Sequence, residues 1–68
     1  MDIKIRVGLK IKELKIKKGF TQEKLSELTG IDRTYISDVE RGLRNIAIVN
    51  LEKIANAFEI QIKDLLNF

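Results

Sequence analysis

No proline interrupts this chain, and single glycines at positions 19, 30 and 42 each close a stretch that is compatible with a helix. The left-handed cap that ends a helix is where glycine alone escapes a Cβ penalty. The spacing therefore predicts several short helices ending near these three residues. No apolar run approaches the ~20 residues that a membrane span needs. The first ten residues, MDIKIRVGLK, lack the uninterrupted apolar stretch of a signal peptide.

The opening segment fits two periods. Ile3, Ile5, Val7, Leu9 and Ile11 alternate with polar residues or glycine, as in a half-buried strand. At about 100° per residue, Ile3, Val7, Ile11 and Leu14 also share one helical stripe, and KELKIKK is made largely of good helix formers. These residues predict a helix ending near Lys18; the alternative keeps the first few residues extended. The helix leaves Ile5, Leu9 and Ile16 together on its opposite side as a second apolar stripe, a candidate contact surface whose role the residues do not specify.

Thr21 is placed to cap a second helix over about 21–28, with Leu25 and Leu28 facing inward and Glu23 in its first turn. A turn, Thr29-Gly30-Ile31, precedes Asp32, a good N-cap for a third helix over about 33–41 with Ile36 and Val39 inward. After the loop LRNIA, the helical spacing of Leu51, Ile54, Ala55 and Phe58 predicts a fourth helix over about 48–58. A short fifth, over about 62–67, carries Leu65 and Leu66. The expectation is an all-α fold, a compact five-helix domain over residues 1–68.

The absence of cysteine and histidine excludes thiol nucleophiles, catalytic triads and zinc sites built on nitrogen or sulfur. With 68 residues there is also no chain left to build a substrate pocket, so neither an enzyme, nor a cofactor, metal or small-molecule ligand is expected. A chain this short buries only about 60% of its unfolded surface, which makes self-association an expectation. Zero cysteine fits a reducing compartment, and a soluble cytoplasmic protein follows as the default. The net charge of +3 is unevenly placed, since residues 1–20 carry seven Lys or Arg against Asp2 and Glu13. That segment suggests attraction to a polyanion; a solvated lysine-rich face is the bland alternative.

Two short helices joined by a tight turn have the layout of a DNA-binding helix-turn-helix. On the third helix, Arg33, Thr34, Ser37, Asp38 and Arg41 span about 140° of circumference opposite Ile36 and Val39. Arginines among short polar side chains suit a major groove, where Arg33 can bond guanine and Thr34 can touch a thymine methyl. A merely solvated helix face is the alternative.

The run TQEKLSELTGIDRTYISDVERGLRN resembles the helix-turn-helix of phage-repressor-like regulators, and the similarity extends over almost the whole chain. Within that superfamily, GIDRTYISDVERGLRN followed by NLEKIANAFEIQIKDLL is most similar to the controller proteins of restriction-modification systems, which are small homodimeric transcription regulators. The resemblance and the exposed arc together assign Arg33, Thr34, Ser37 and Asp38 to base edges. Gln22, Tyr35, Arg41, Arg44 and Asn45 are assigned to the sugar-phosphate backbone. A helix N-terminus with free N–H groups makes sense of Gln22. Tyr35 lies at the border of the inward arc, so a core ring with an exposed hydroxyl stands beside the phosphate contact.

The resemblance also implies an ion pair between Glu40 and Lys15, with a solvated Glu40 as the alternative. The chain departs from the family pattern after Asn45, where proline and a capping serine are frequent but Ile46 and Ala47 stand here. Alanine caps poorly, so the fourth helix is expected to start differently or to use Asn45 or Asn50 as its cap.

The expected partners are a double-stranded DNA operator and a second copy of the chain, with no membrane involved. The dimer seam is expected at Ile62, Leu65, Leu66 and Phe68, flanked by the fourth helix. An antitoxin or phage-type repressor would share this pattern. So would a helical interaction module that has lost DNA binding and uses the second apolar stripe.

Overall fold

The computed structural model describes residues 2–68; Met1, the first residue of the expected 1–68 domain, lies outside the described residues. The described residues form five helices and no strand: α1 (Ile3–Lys17), α2 (Gln22–Thr29), α3 (Arg33–Glu40), α4 (Ile48–Ala57) and α5 (Ile62–Leu65). None is long and apolar enough to cross a membrane.

The opening segment is helical, not extended. Asp2 caps α1 by accepting the Lys4 N–H at 2.7 Å, and Val7 and Ile11 turn into the core with Leu14 packed at its edge. Ile3, expected on that stripe, is 57% exposed because it starts the helix and overhangs the core's edge. Ile5, Leu9 and Ile16 do form an exposed stripe. Gly8 is buried where α1 meets α3, and a Cβ there would collide with the Val39 carbonyl oxygen. Glycine thus sets how closely these two helices approach.

The turn between α2 and α3 is built from hydroxyls as well as from glycine. Thr21 caps α2 by accepting the Lys24 N–H, and Gly30 ends it in the left-handed region at φ 72°. The buried Thr29 hydroxyl donates to the Leu25 carbonyl at 2.7 Å and accepts the Ile31 N–H at 3.1 Å. Ser26 donates to the Ile31 carbonyl. Asp32 then caps α3 by accepting the Thr34 N–H at 2.7 Å. These bonds fix the angle at which α3 leaves α2, since buried polar groups at a turn must all find partners.

The packing closes on itself: α1 rests on α3 and α5, α2 on α3 and α4, and α4 on α5. The buried side chains make one cluster, with Ile11, Leu25, Ile36, Ile54, Phe58 and Leu65 inaccessible to water. Phe20 stacks on Phe58 with centroids 6.1 Å apart and ties the α1–α2 link to α4.

Several expectations need correction. Leu28, expected to face inward, is 48% exposed, because it lines an open depression between α2 and α4 with Lys24, Lys53 and Ala57 while Leu25 fills the core. Leu65, expected in a dimer seam, has no accessible surface: α5 is one short turn that drives this side chain into the chain's own core. Ile62 is half-buried against the same core, while Leu66 and Phe68 remain exposed. Neither Asn45 nor Asn50 caps α4. Ala47 holds the N-cap position with no side-chain bond, and its own N–H donates to the Tyr35 hydroxyl at 3.0 Å.

Candidate nucleic-acid interface

The helical rotation of α3 divides its side chains cleanly. Ile36, Val39 and Glu40 are buried, Arg33 and Thr34 are exposed, and Ser37 and Asp38 are half-exposed. Arg41 caps the helix from an exposed position. The α2 N-terminus brings Gln22 and Glu23 to the same end of the molecule as Arg33, and the three line one shallow depression with Lys15 and Thr21. Its walls combine the start of α2 with two cations that are each paired to a carboxylate, Arg33 to Glu23 and Lys15 to Glu40.

Arg33 is held by a partner that sequence reasoning missed. Its guanidinium lies 3.2 Å from the Glu23 carboxylate, with both side chains more than half exposed. An exposed pair of this kind contributes at most about 1 kcal/mol, so its effect is on direction and not on stability. Ten residues separate the two along the chain, and no local period marks them as neighbours.

Gln22 is not simply extended toward solvent. Its amide nitrogen donates to Glu40 Oε1 at 3.2 Å, and Lys15 Nζ donates to the same oxygen at 3.0 Å. The Lys15–Glu40 pair implied by the resemblance is therefore present, and Glu40 is buried, not solvated. Glu40 Oε2 is buried without a hydrogen-bond partner among the described residues. The second proton of the Gln22 amide stays available to an outside acceptor.

At the far end of α3, the loop folds back over the helix. The Arg44 guanidinium sits 4.6 Å from the Tyr35 ring centroid and 3.9 Å from Asp38 Oδ2, so the ring lies under a cation that also faces the acid. Tyr35 is half-buried with its hydroxyl accepting the Ala47 N–H, so the ring packs against the core's edge and the oxygen lies at the surface, as the core-ring alternative has it. Asn45 is exposed beside Arg44. Arg33, Thr34, Ser37, Asp38 and Arg41 thus lie on the side of α3 away from the core, Gln22 is tied to Glu40 at the helix's last residue, and Arg44, next to Asn45, lies over Tyr35 in its first turn.

A second surface of note is apolar. Ile3, Ile46 and Leu66 line a cleft of about 190 Å³ together with Lys4 and Arg44. Ile48 and Val49, in the first turn of α4, are 68% and 58% exposed, and Leu66 and Phe68 are 45% and 52% exposed. Phe68 lies apart from the cleft, under the Arg6 guanidinium and beside Leu9.

Comparison with known proteins agrees with this geometry. The helix-turn-helix family model matches residues 11–65. The control protein C.BamHI of Bacillus amyloliquefaciens is 44% identical over 68 residues, covering 98% of this chain and 84% of that protein. The crystal structure of the restriction-modification controller protein C.AhdI from Aeromonas hydrophila superposes with a TM-score of 0.89 at 42% identity, covering 91% of this chain and 94% of that one. The controller protein C.Esp1396I, solved as a tetramer with its natural 35 base-pair operator, matches with a TM-score of 0.83 at 36% identity over 98% of this chain and 99% of that one. The chain belongs to the helix-turn-helix family, among relatives that include the restriction-modification controller proteins.

Proposed function

We propose that this protein is a sequence-specific, double-stranded DNA-binding transcriptional regulator that acts as a homodimer on a palindromic operator, as the controller of a restriction-modification system in the cytoplasm. The observation that carries the reading is the outward arc of α3, short polar residues and arginines set opposite the buried Ile36 and Val39 and locked to α2 by the Thr29 and Ser26 hydroxyls. An α-helix presented in this way fits the width of a major groove.

In this reading Arg33, Thr34, Ser37 and Asp38 face base edges. Gln22, Tyr35, Arg41, Arg44 and Asn45 hold the sugar-phosphate backbone on either side. Phosphate contacts of this kind set register, and base-edge contacts supply the discrimination. The dimer seam is formed by Leu66 and Phe68 with Ile48 and Val49, and Ile62 lies at its margin. At 29 × 22 × 21 Å, two copies side by side can set their α3 helices at the ~34 Å spacing of successive major grooves. The controller relatives, one of them solved on its operator, support the assignment to that class.

The test is retention of duplex DNA in a native gel over a salt series. Binding that falls steeply with salt and prefers one selected sequence over a scrambled one is expected. No retention on any duplex at low salt would favour the helical interaction module instead. Genes for a methyltransferase and an endonuclease beside this one would separate a controller from an antitoxin or phage-type repressor.

A further inference from the structure

The loop before α4 does more than connect. Ala47 is the N-cap of α4, yet a methyl group cannot accept a hydrogen bond, and helix starts leave several N–H groups without partners. One of these, the Ala47 N–H, is taken up by the Tyr35 hydroxyl oxygen at 3.0 Å, across twelve residues of chain. The phenol has a single proton. Because its oxygen accepts a hydrogen bond from the Ala47 N–H, its own proton has to point elsewhere, and the Tyr35 ring is held under the Arg44 guanidinium.

We propose that the Ala47 backbone N–H is the positioning group for the Tyr35 phosphate contact: it fixes the hydroxyl rotor so that the phenolic proton is aimed outward at a DNA phosphate oxygen. This rests on the reading of Tyr35 as a backbone contact. Two effects act in the same direction. An oxygen that already accepts a hydrogen bond becomes a better donor through its own proton. The N-terminal end of α4 also adds a partial positive charge behind the hydroxyl, which favours an anion in front of it. Tyr35 is therefore the junction between α3, which reads the groove, and the start of α4, where Ile48 and Val49 are exposed.

Ala47 allows a direct test, because its φ of −63° and ψ of 144° suit proline, whose Cδ takes the place of the N–H and displaces the Tyr35 hydroxyl from it. The probe is the duplex selected by the unmutated protein, with single phosphates replaced in turn by uncharged methylphosphonate. In the unmutated protein, one replacement is expected to weaken binding about tenfold, the worth of one charge-assisted hydrogen bond. Tyr35→Phe and Ala47→Pro are each expected to weaken binding to the natural duplex by several-fold, to abolish the penalty of that same replacement, and to be no worse together than singly.

A second measurement covers the case in which Ala47→Pro does not fold. The Ala47 amide should exchange slowly with solvent in the unmutated protein, free and on DNA, and quickly in Tyr35→Phe. Fast exchange of that amide in the DNA complex would overturn the proposal. So would an Ala47→Pro variant that keeps full affinity and the methylphosphonate penalty while Tyr35→Phe loses both, a result that leaves the phosphate contact itself intact. Tyr35→Phe with undiminished affinity would remove the contact and the proposal together, whereas absence of binding by the unmutated protein to every duplex would instead reject the DNA-binding function.

Discussion

The Lys15 ammonium lies 3.0 Å from the Glu40 carboxylate, with their side chains only 11% and 4% exposed. This pair joins the last turn of α1 to the last residue of α3, and through the Gln22 amide it also reaches the start of α2. Three helices therefore meet on one carboxylate. Breaking a buried pair on one side leaves an uncompensated charge, which costs about 3–5 kcal/mol, whereas replacing both partners by apolar groups is often neutral. Lys15→Met is expected to lower unfolding free energy by about that amount in urea denaturation, and Lys15→Met with Glu40→Met to restore most of it. Equal stability of Lys15→Met and the unmutated protein would remove the pair from the account.

Gly8 sets the α1–α3 distance, since a Cβ would meet the Val39 carbonyl oxygen and come within 3.0 Å of the Glu40 carbonyl oxygen. Backbone on both sides leaves little room to give. Gly8→Ala is expected to cost about 2–3 kcal/mol in spite of alanine's better helix propensity. Thermal unfolding of the two proteins measures it, and a stabilised variant would show that the helices separate freely.

Arg33→Ala is expected to weaken binding to the selected duplex by about 1–3 kcal/mol and to change scrambled-sequence binding much less. Titration of both duplexes at one salt concentration separates the cases. Equal losses on both would make Arg33 a phosphate contact.

Leu65 and Leu66 are adjacent but should behave oppositely. Leu65→Asp places a charge in the core and is expected to unfold the chain, while Leu66→Asp is expected to leave the helices intact and to yield monomers. Circular dichroism and sedimentation distinguish them. A Leu66→Asp protein that stays fully dimeric would move the seam elsewhere.

Local chemistry made most of the fold legible. Gly19, Gly30 and Gly42 all adopt positive φ, Thr21 and Asp32 cap the helices expected of them, and the α1 stripe was visible in its 3.6-residue period. What escaped depends on contacts between distant segments. Ala47 looked like a missing cap because its partner, Tyr35, lies a helix and a loop away. Gly8 carries no local signal, because the α3 carbonyls that require it are over thirty residues downstream. A single turn such as α5 has too few residues for a period to say whether Leu65 or Leu66 faces in. The Lys15–Glu40 pair came from family resemblance alone, since nothing in the local pattern brings position 15 to position 40.

Selection of duplexes from random DNA by the unmutated protein tests most directly whether two copies of α3 read two half-sites related by a dyad. A palindrome is predicted, with half-site centres about 34–36 Å or roughly 10 base pairs apart, whose binding falls to the scrambled-sequence level when five base pairs, about half a turn, are inserted at its centre. A single asymmetric site, or a palindrome that tolerates the insertion, would contradict the symmetric docking.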